Sequence, residues 1–243
     1  MRLDLTTGKA VELYRYNSIV TRIAKSPDGA LLASNALPEK DDKGEIKVWD
    51  LAAGKLRTSL QSPMDLHDLA FSPDGKRLAA GVLDDRGASW VWDLAGKHEG
   101  RKLPGSKYSG ASIAISPDGK KLVSGKAGKA LLVFSFQPDT EPVSWDLGFA
   151  TGPLTFTAGG RLIVAAGTRR VAILDAGTGK VIKEFEAIAD PGTAFKPNRV
   201  GWMSLSPDNK LLAVTSGTPK DEVIVYDSSS ITASQKDNGR DKK

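Results

Sequence analysis

The chain has 243 residues, a formal net charge of +5, 40% hydrophobic residues and no cysteine. The lack of cysteine excludes disulfides, thiolate metal sites and cysteine nucleophiles. No apolar run reaches the 18 residues of a membrane-spanning helix, and no apolar stretch of the signal-peptide kind follows Met1-Arg2-Leu3-Asp4. We therefore expect a soluble chain without a membrane partner, and its compartment stays open.

The chain starts with the end of one predicted strand, a tight turn and a second strand. Leu3-Asp4-Leu5 with the turn Thr6-Thr7-Gly8-Lys9 predicts the first strand and its turn, and residues 10–16 predict the second strand. No strand precedes this pair in the sequence. It is therefore predicted to be the second half of a repeating unit, or the outer strand that completes the last unit of a closed ring.

A turn tetrapeptide then recurs five times. The copies are Ser26-Pro27-Asp28-Gly29, Ser72-Pro73-Asp74-Gly75, Ser116-Pro117-Asp118-Gly119, the divergent Thr157-Ala158-Gly159-Gly160, and Ser206-Pro207-Asp208-Asn209. They begin at intervals of 46, 44, 41 and 49 residues, which indicates one small unit stacked several times. Ser-Pro-Asp-Gly suits a type I turn, because Pro presets φ at the second position. Strand-forming runs flank each copy, so each predicts a hairpin.

A second pattern keeps the same period. It consists of an apolar residue, a large apolar or aromatic residue and then usually Asp. Its members are Val48-Trp49-Asp50, Val91-Trp92-Asp93, Val133-Phe134-Ser135, Ile173-Leu174-Asp175 and Val225-Tyr226-Asp227. Several lead into a glycine-containing turn and then a strand of alternating apolar and polar residues, such as 180–185. Each unit therefore has four predicted strands, a to d, and the fold class is all-β.

These patterns resemble those of the WD-repeat (WD40) β-propeller family. The Ser-Pro-Asp-Gly turns and the pairs Trp49-Asp50 and Trp92-Asp93 carry the resemblance, which covers roughly residues 1–227. It implies five recognisable four-stranded blades plus an N-terminal partial blade, in a partial propeller of a bacterial-type repeat protein. We expect the parent ring to have about six or seven blades. The polar residues 228–243 are predicted to form a disordered tail.

Residues suited to catalysis or metal binding are scarce. The two histidines, His67 and His98, do not follow a glycine, so the Gly-His pair of many WD-repeat proteins is missing. We expect His67 to be partly buried and His98 to be exposed. The acidic pairs at 41–42 and 84–85 lack calcium-loop spacing, and the repeated aspartates suit turns. No enzyme activity, cofactor or metal is predicted.

Binding is expected at one face of the propeller. Because successive strands are antiparallel, the a–b and c–d turns share one face and the b–c and d–a loops share the other. The second face has loops of variable length, at 37–44, 84–87 and 187–198. Variable loops on a rigid scaffold are frequent recognition sites, so this face is the predicted binding face.

Candidate contacts combine arginine and aromatic residues near that face. They are Arg22, Asp68, Trp202, Phe195, Arg199, Arg169 and Arg170. In the structural alternative, Trp202 packs between blades and Arg22 pairs with Asp68.

The predicted function is a non-catalytic scaffold that binds a protein or peptide. Nucleic acid is not an expected partner, since lysines occur singly without interleaved aromatics. A lactonase-like propeller enzyme or small-ligand domain with a site in the central channel, and a purely architectural blade set, are the alternatives.

Overall fold

The computed structural model of the chain is all-β. It describes residues 2–3, 10–11, 19–36, 44–62, 66–82, 88–96, 98–103, 109–126, 130–137, 140–187, 200–216 and 223–228. The chain divides into two compact units, Met1–Ile113 and Ala114–Lys243, each of which is described by itself.

Twenty-one strands follow one another in the described residues. In chain order they are β1 (Arg2–Leu3), β2 (Ala10–Val11), β3 (Val20–Lys25), β4 (Leu31–Ala36), β5 (Gly44–Asp50), β6 (Lys55–Ser62), β7 (Leu66–Phe71), β8 (Arg77–Val82), β9 (Ala88–Asp93), β10 (Gly100–Lys102), β11 (Ser109–Ile115), β12 (Lys121–Lys126), β13 (Ala130–Ser135), β14 (Val143–Asp146), β15 (Thr151–Phe156), β16 (Leu162–Gly167), β17 (Arg170–Asp175), β18 (Val181–Glu186), β19 (Val200–Leu205), β20 (Leu211–Ser216) and β21 (Val223–Asp227).

The strands form sheets in which each strand is hydrogen-bonded to the next along the chain. Four sheets have four strands, β3 to β6, β7 to β10, β11 to β14 and β15 to β18, while β19 to β21 form a sheet of three. The predicted four-stranded unit is thus confirmed in four of the five blades, the fifth has three described strands, and the first strand of each sheet is strand a. β1 and β2 pair antiparallel in a sheet of their own, with Leu3 opposite Ala10.

Two predictions lie outside the described residues. These are the remainder of the second N-terminal strand, residues 12–16, and the tail beyond residue 228. The extent of the propeller domain, 1–227, and the tail, 228–243, therefore stay predictions.

The a–b turns have the hydrogen bonds that their sequence predicts. In the second blade, Ser72 Oγ donates to Asp74 Oδ1 at 2.6 Å, and Asp74 Oδ1 also accepts the Lys76 N–H at 3.0 Å. The Gly75 N–H donates to the Ser72 carbonyl at 2.8 Å, and Gly75 takes a φ of 68° that suits glycine. These hydrogen bonds hold the pKa of the Asp74 carboxyl below its usual value.

Neighbouring sheets bury apolar side chains against each other. In the first unit, Ile46 and Val48 of β5 lie in one core with Leu69 of β7 and Leu78 of β8. In the second unit, the sheet of β15 to β18 contributes to two cores. One includes Ile163 with side chains of the preceding sheet, and the other includes Leu162, Ile173 and side chains of the following sheet. Burial on both sides explains why β16 is entirely buried.

The two blades with a Trp-Asp pair differ in whether the tryptophan Nε1–H has a hydrogen-bond acceptor. Trp49 Nε1 donates to Ser34 Oγ at 2.9 Å, so part of a hydrogen-bonded network persists without the Gly-His pair. In the next blade Ala80 occupies the position of Ser34. Trp92 is fully buried, and its Nε1 has no hydrogen-bond partner in the described part of the chain.

This difference predicts opposite effects for two substitutions. Ser34→Ala should lower the free energy of unfolding by about 2 kcal/mol, because the buried indole N–H of Trp49 loses its acceptor. Ala80→Ser should raise it by about 1 kcal/mol, because the new hydroxyl can accept from Trp92. Urea unfolding of the three proteins measures both changes. Destabilisation by Ala80→Ser would show that the Trp92 pocket cannot hold a hydroxyl.

Candidate functional site

In four blades of the described part of the chain, strand a carries a one-residue β-bulge at the same place. The pairing register shifts between Val20 and Arg22 in β3 and between Leu66 and Asp68 in β7. Equivalent shifts occur between Thr151 and Leu154 in β15 and between Val200 and Met203 in β19. A bulge twists the strand and redirects side chains. Arg22, Asp68 and Trp202 lie in or directly beside these bulges.

Asp68 is a half-buried residue whose carboxylate joins two strands. Its Oδ1 accepts the Leu69 N–H and its Oδ2 accepts the Ile113 N–H of β11, both at 2.9 Å. Burial raises the pKa of Asp68 to about 6, while the two amide hydrogen bonds and the nearby Arg22 charge act in the opposite direction. The carboxylate is therefore engaged within the first unit.

Arg22 is half-buried and joins β3 to β7. Its Nε donates to the carbonyl of His67, which is the extra residue of the β7 bulge, and its Nη1 donates to the Thr21 carbonyl at 2.6 Å. The structure thus brings Arg22 and Asp68 together, and the polar groups of both hold neighbouring strands in place. The structural alternative, in which Arg22 pairs with Asp68, stays a prediction.

Trp202 differs from these two residues because its side chain is 64% exposed. Its backbone N–H donates to Thr215 Oγ1 at 2.9 Å, and Thr215 is paired with Val223. Val223 is 65% exposed, so two large apolar side chains lie in the solvent at the loop end of this sheet. Because no sheet after that of β19 to β21 is described, the alternative in which Trp202 packs between blades stays a prediction.

Val223 was not identified from the sequence. Its counterparts in three other blades are the buried apolar residues Ile46, Leu131 and Val171. An apolar residue at position 223 therefore did not predict exposure, because apolar residues at the same position of other blades are buried.

Arg169 and Arg170 lie at the turn between β16 and β17, as predicted. Arg169 has a φ of 61°, and its Nη2 lies 3.7 Å from Glu186 Oε2. Arg170 Nη1 donates to Glu184 Oε1 at 2.8 Å. Both guanidinium groups therefore lie beside strand d of their own blade.

The other predicted contacts cannot be placed. Phe195 and Arg199 lie outside the described residues, together with nearly all of the variable loops at 37–44, 84–87 and 187–198.

The prediction that His98 is exposed is wrong. His98 is half-buried, its Nδ1 lies 3.3 Å from Thr58 Oγ1, and its Nε2 lies 3.0 Å from the Leu94 carbonyl. A φ of 59° lets the chain turn back, so that the ring reaches β6. His67 is half-buried on β7, as predicted.

The repeated aspartates of the c–d turns accept backbone N–H groups, as predicted. Asp50 Oδ1 accepts from Ala53 at 2.8 Å, and Asp175 Oδ1 accepts from Gly177 and Thr178 at 3.0 and 2.8 Å. Over the described ranges there is no group of three or more acidic or histidine side chains that could hold a metal ion. The same residues contain no helix long and apolar enough to cross a membrane.

Comparison of sequences finds relatives with WD repeats. The chain is 34% identical over 126 residues to the small ribosomal subunit protein RACK1z of Oryza sativa subsp. japonica, a match over 49% of this chain and 35% of that protein. It is 35% identical over 103 residues to WD repeat and SOCS box-containing protein 1 of Danio rerio, over 41% and 24% of the two chains. The chain thus spans about a third or less of these relatives. No family model matches it.

Comparison of structures finds β-propellers. The Cps50 (Swd1) β-propeller domain of Myceliophteria thermophila superposes with a TM-score of 0.67 at 16% identity, over 84% of this chain and 63% of the other. A chain of Kuenenia stuttgartiensis hydrazine synthase gives a TM-score of 0.71 at 18% identity, over 89% and 65%. These likenesses concern the fold alone. Together with the sheets described above, they confirm the predicted β-propeller fold and the resemblance to WD-repeat proteins.

Proposed function

We propose that this chain, a WD-repeat β-propeller, is a non-catalytic scaffold that binds a protein or peptide with the loop-bearing ends of its blades. The proposed contacts remain Arg22, Asp68, Trp202, Phe195, Arg199, Arg169 and Arg170. Its rice relative is named as a small ribosomal subunit protein, and its zebrafish relative as a SOCS box-containing protein. The first name describes a component of a larger assembly, which supports a role in protein association.

The observation that carries this proposal is the exposure of Trp202. A tryptophan that is 64% exposed leaves a large apolar surface in water, where its burial by a partner is favourable. Tryptophan is among the residues that most often dominate the binding energy of an interface. The paired strands β19 and β20 hold its backbone, so little conformational freedom of the main chain is lost on binding.

The proposed contacts have different roles in this account. Trp202, with Val223 beside Thr215, supplies the apolar centre. Arg169 and Arg170 already lie beside glutamates, so they contribute orientation at the rim more than affinity. Arg22 and Asp68 hold the bulges of β3 and β7 in place by their hydrogen bonds, and these bulges orient the surface side chains.

The enzyme alternative has less support. Asp68 has the raised pKa that marks many catalytic acids, but both of its oxygens accept backbone N–H groups at 2.9 Å. Both oxygens of this carboxyl group are thus used in contacts with β7 and β11. The likeness to a hydrazine synthase chain, at 18% identity, concerns the fold and brings no catalytic residue to this chain.

Replacing Trp202 tests the proposal. Peptides are selected from a random library on the parent chain, and their dissociation constants are measured for the parent, for Trp202→Ala and for Ile182→Ala. We expect Trp202→Ala to weaken binding at least about ten-fold. Ile182 of strand β18 is 49% exposed and serves as the matched control, for which we expect no change.

Thermal unfolding separates loss of binding from loss of fold. Both side chains are exposed, so each variant should unfold within about 0.5 kcal/mol of the parent. Selected peptides that bind the parent and Trp202→Ala equally, or that are lost with Ile182→Ala instead, would reject the loop-bearing end as the binding surface.

A further inference from the structure

The divergent turn of the fourth blade keeps the backbone of the other a–b turns. The Gly160 N–H donates to the Thr157 carbonyl at 2.8 Å, and the Leu162 N–H donates to Thr157 Oγ1 at 3.2 Å. Gly160 has a φ of 69°, close to the 68° of Gly119 in the third blade. The turn has therefore kept its geometry although three of its four residues differ from Ser-Pro-Asp-Gly.

The fourth blade lacks the carboxylate that the other turns contain. In the third blade Asp118 Oδ1 accepts from Ser116 Oγ at 2.6 Å and from the Lys120 N–H at 3.0 Å. Gly159 stands at the position of that aspartate. The two donors that face it elsewhere are here the Thr157 hydroxyl and the Arg161 N–H, and no described carboxylate occupies the place between them.

The replacement of proline in this turn is compensated by a new hydrogen bond. Ala158 replaces proline and so adds a backbone N–H, which donates to Asn209 Oδ1 of the fifth blade at 2.9 Å. An acceptor from outside the turn thus covers the new donor. Of the two donors left by the missing aspartate, the Thr157 hydroxyl makes only a long contact of 3.4 Å with the Leu162 carbonyl, and the Arg161 N–H has no acceptor among the described residues.

The vacant position borders a cavity of about 300 Å³ within the second unit. Its lining includes Lys121, Phe156, Gly159, Arg161, Asp118 and Asp175. The two carboxylates already accept hydrogen bonds in their own turns. Lys121 Nζ donates to the Ala176 carbonyl at 3.3 Å, so the cavity holds an ammonium group, a guanidinium group and an aromatic wall.

We propose that this cavity binds a carboxylate group of a peptide ligand, and that the ligand carboxylate takes the place of the missing aspartate. The Thr157 hydroxyl and the Arg161 N–H bind it as their counterparts bind Asp118. The charges of Lys121 and Arg161 are balanced in the lining by Asp118 and Asp175, so the two hydrogen-bond donors carry the recognition, and Phe156 contacts the aliphatic part of the ligand side chain. The site lies at the a–b turns, at the opposite end of the strands from the loops, so it is independent of the proposed loop-end surface.

The other turns show that this position suits an ionised carboxylate. The hydrogen bond from Ser116 and the backbone hydrogen bond from Lys120 lower the pKa of Asp118, with a smaller contribution from the charges of Lys120 and Lys121. Charge-assisted hydrogen bonds of this kind are stronger than bonds between neutral groups. At about 30 Å³ per water molecule, a cavity of about 300 Å³ has room for one amino-acid side chain and several waters.

The test uses acetylated, amidated tripeptides with Asp, Glu or Asn between two glycines, and acetate alone. Each probe is titrated into the ¹⁵N-labelled chain, and the backbone amide resonance of Arg161 is followed, with that of Lys120 as the internal control. We expect a saturable shift of Arg161 with the Asp and Glu peptides and none with the Asn peptide. Lys120, whose acceptor is Asp118, should not shift.

Gly159→Asp is the decisive variant, because it restores the aspartate of the other turns. Nothing lies within 4 Å of a Cβ added at Gly159, so the variant should fold like the parent. Its own carboxylate should weaken binding of the Asp peptide at least ten-fold, whereas Gly159→Ala should bind like the parent.

Three results would overturn the proposal. They are the absence of a saturable shift with the Asp and Glu peptides, an equal shift in Gly159→Asp, and binding of acetate as tight as that of the peptides. None of them bears on Trp202, so failure here and failure of the loop-end surface are distinguishable.

Discussion

Replacement of Gly167 by alanine is expected to lower the free energy of unfolding by about 3 kcal/mol. Gly167 ends the buried strand β16 and is paired with Thr151. A Cβ at this position would overlap the carbonyl oxygen of Ala150 and lie 2.6 Å from Phe149 Cδ2. The oxygen belongs to the main chain and the ring is buried in a core cluster, so neither can move away at low cost.

Gly159→Ala is the matched control for this prediction. A Cβ there meets nothing within 4 Å, and Gly159 does not need a left-handed backbone. We expect a change of no more than about 0.5 kcal/mol for the control. The midpoint of thermal unfolding should fall by roughly 6–12 °C for Gly167→Ala. Equal midpoints for the two variants would contradict the prediction, because they would show that the backbone around Ala150 moves to accommodate the added Cβ at low cost.

The second large effect is a pH dependence caused by Asp68. Burial raises its pKa in the folded chain to about 6, above the ordinary aspartate value of 3.8 that applies to the unfolded chain. Between these two values the folded state binds more protons than the unfolded state, so stability falls as the pH rises. At neutral pH the free energy of unfolding is lower by about 3 kcal/mol than at a pH where Asp68 is protonated in both states. About 2 kcal/mol of this decrease occurs between pH 4.5 and pH 7.

Asp68→Asn isolates this contribution. Asparagine does not ionise, so the variant should lack the loss of about 2 kcal/mol between pH 4.5 and pH 7 that the parent shows. The aspartates of the a–b turns have lowered pKa values, so their contribution disappears only below about pH 4 and is common to both proteins. Urea unfolding at the two pH values gives the slopes, and the ¹³C carboxyl shift of Asp68 gives its titration directly. Titration near pH 4 would contradict the burial of this group.

The fold could be predicted from the sequence because the sequence patterns that specify it are local and repeated. Asp74 and Gly75 specify their turn by hydrogen bonds within five residues, and the repetition of that turn fixes the period of the sheets. Trp49 belongs to the second repeated pattern, and in the structure it is 5% exposed.

The site was harder to predict from the sequence, because it depends on contacts between strands that are distant in sequence. The position of Arg22 indicated a variable residue near the loops, but the acceptor of its Nε is the carbonyl of His67, 45 residues away. The β-bulges that place Arg22, Asp68 and Trp202 have no sequence signature in this chain. The divergence of the turn at Gly159 was evident, but its consequence depends on Arg161 and on the cavity beside it.

Hydrogen–deuterium exchange of the chain with and without a selected peptide tests the central proposal most directly. Binding at the loop-bearing end predicts slower exchange at Val200–Leu205 and at the start of β21, with the a–b turn of Ser206 and the outer strand β18 unchanged. Protection confined to the outer strands or to the a–b turns, with none at Trp202 and its neighbours, would contradict it.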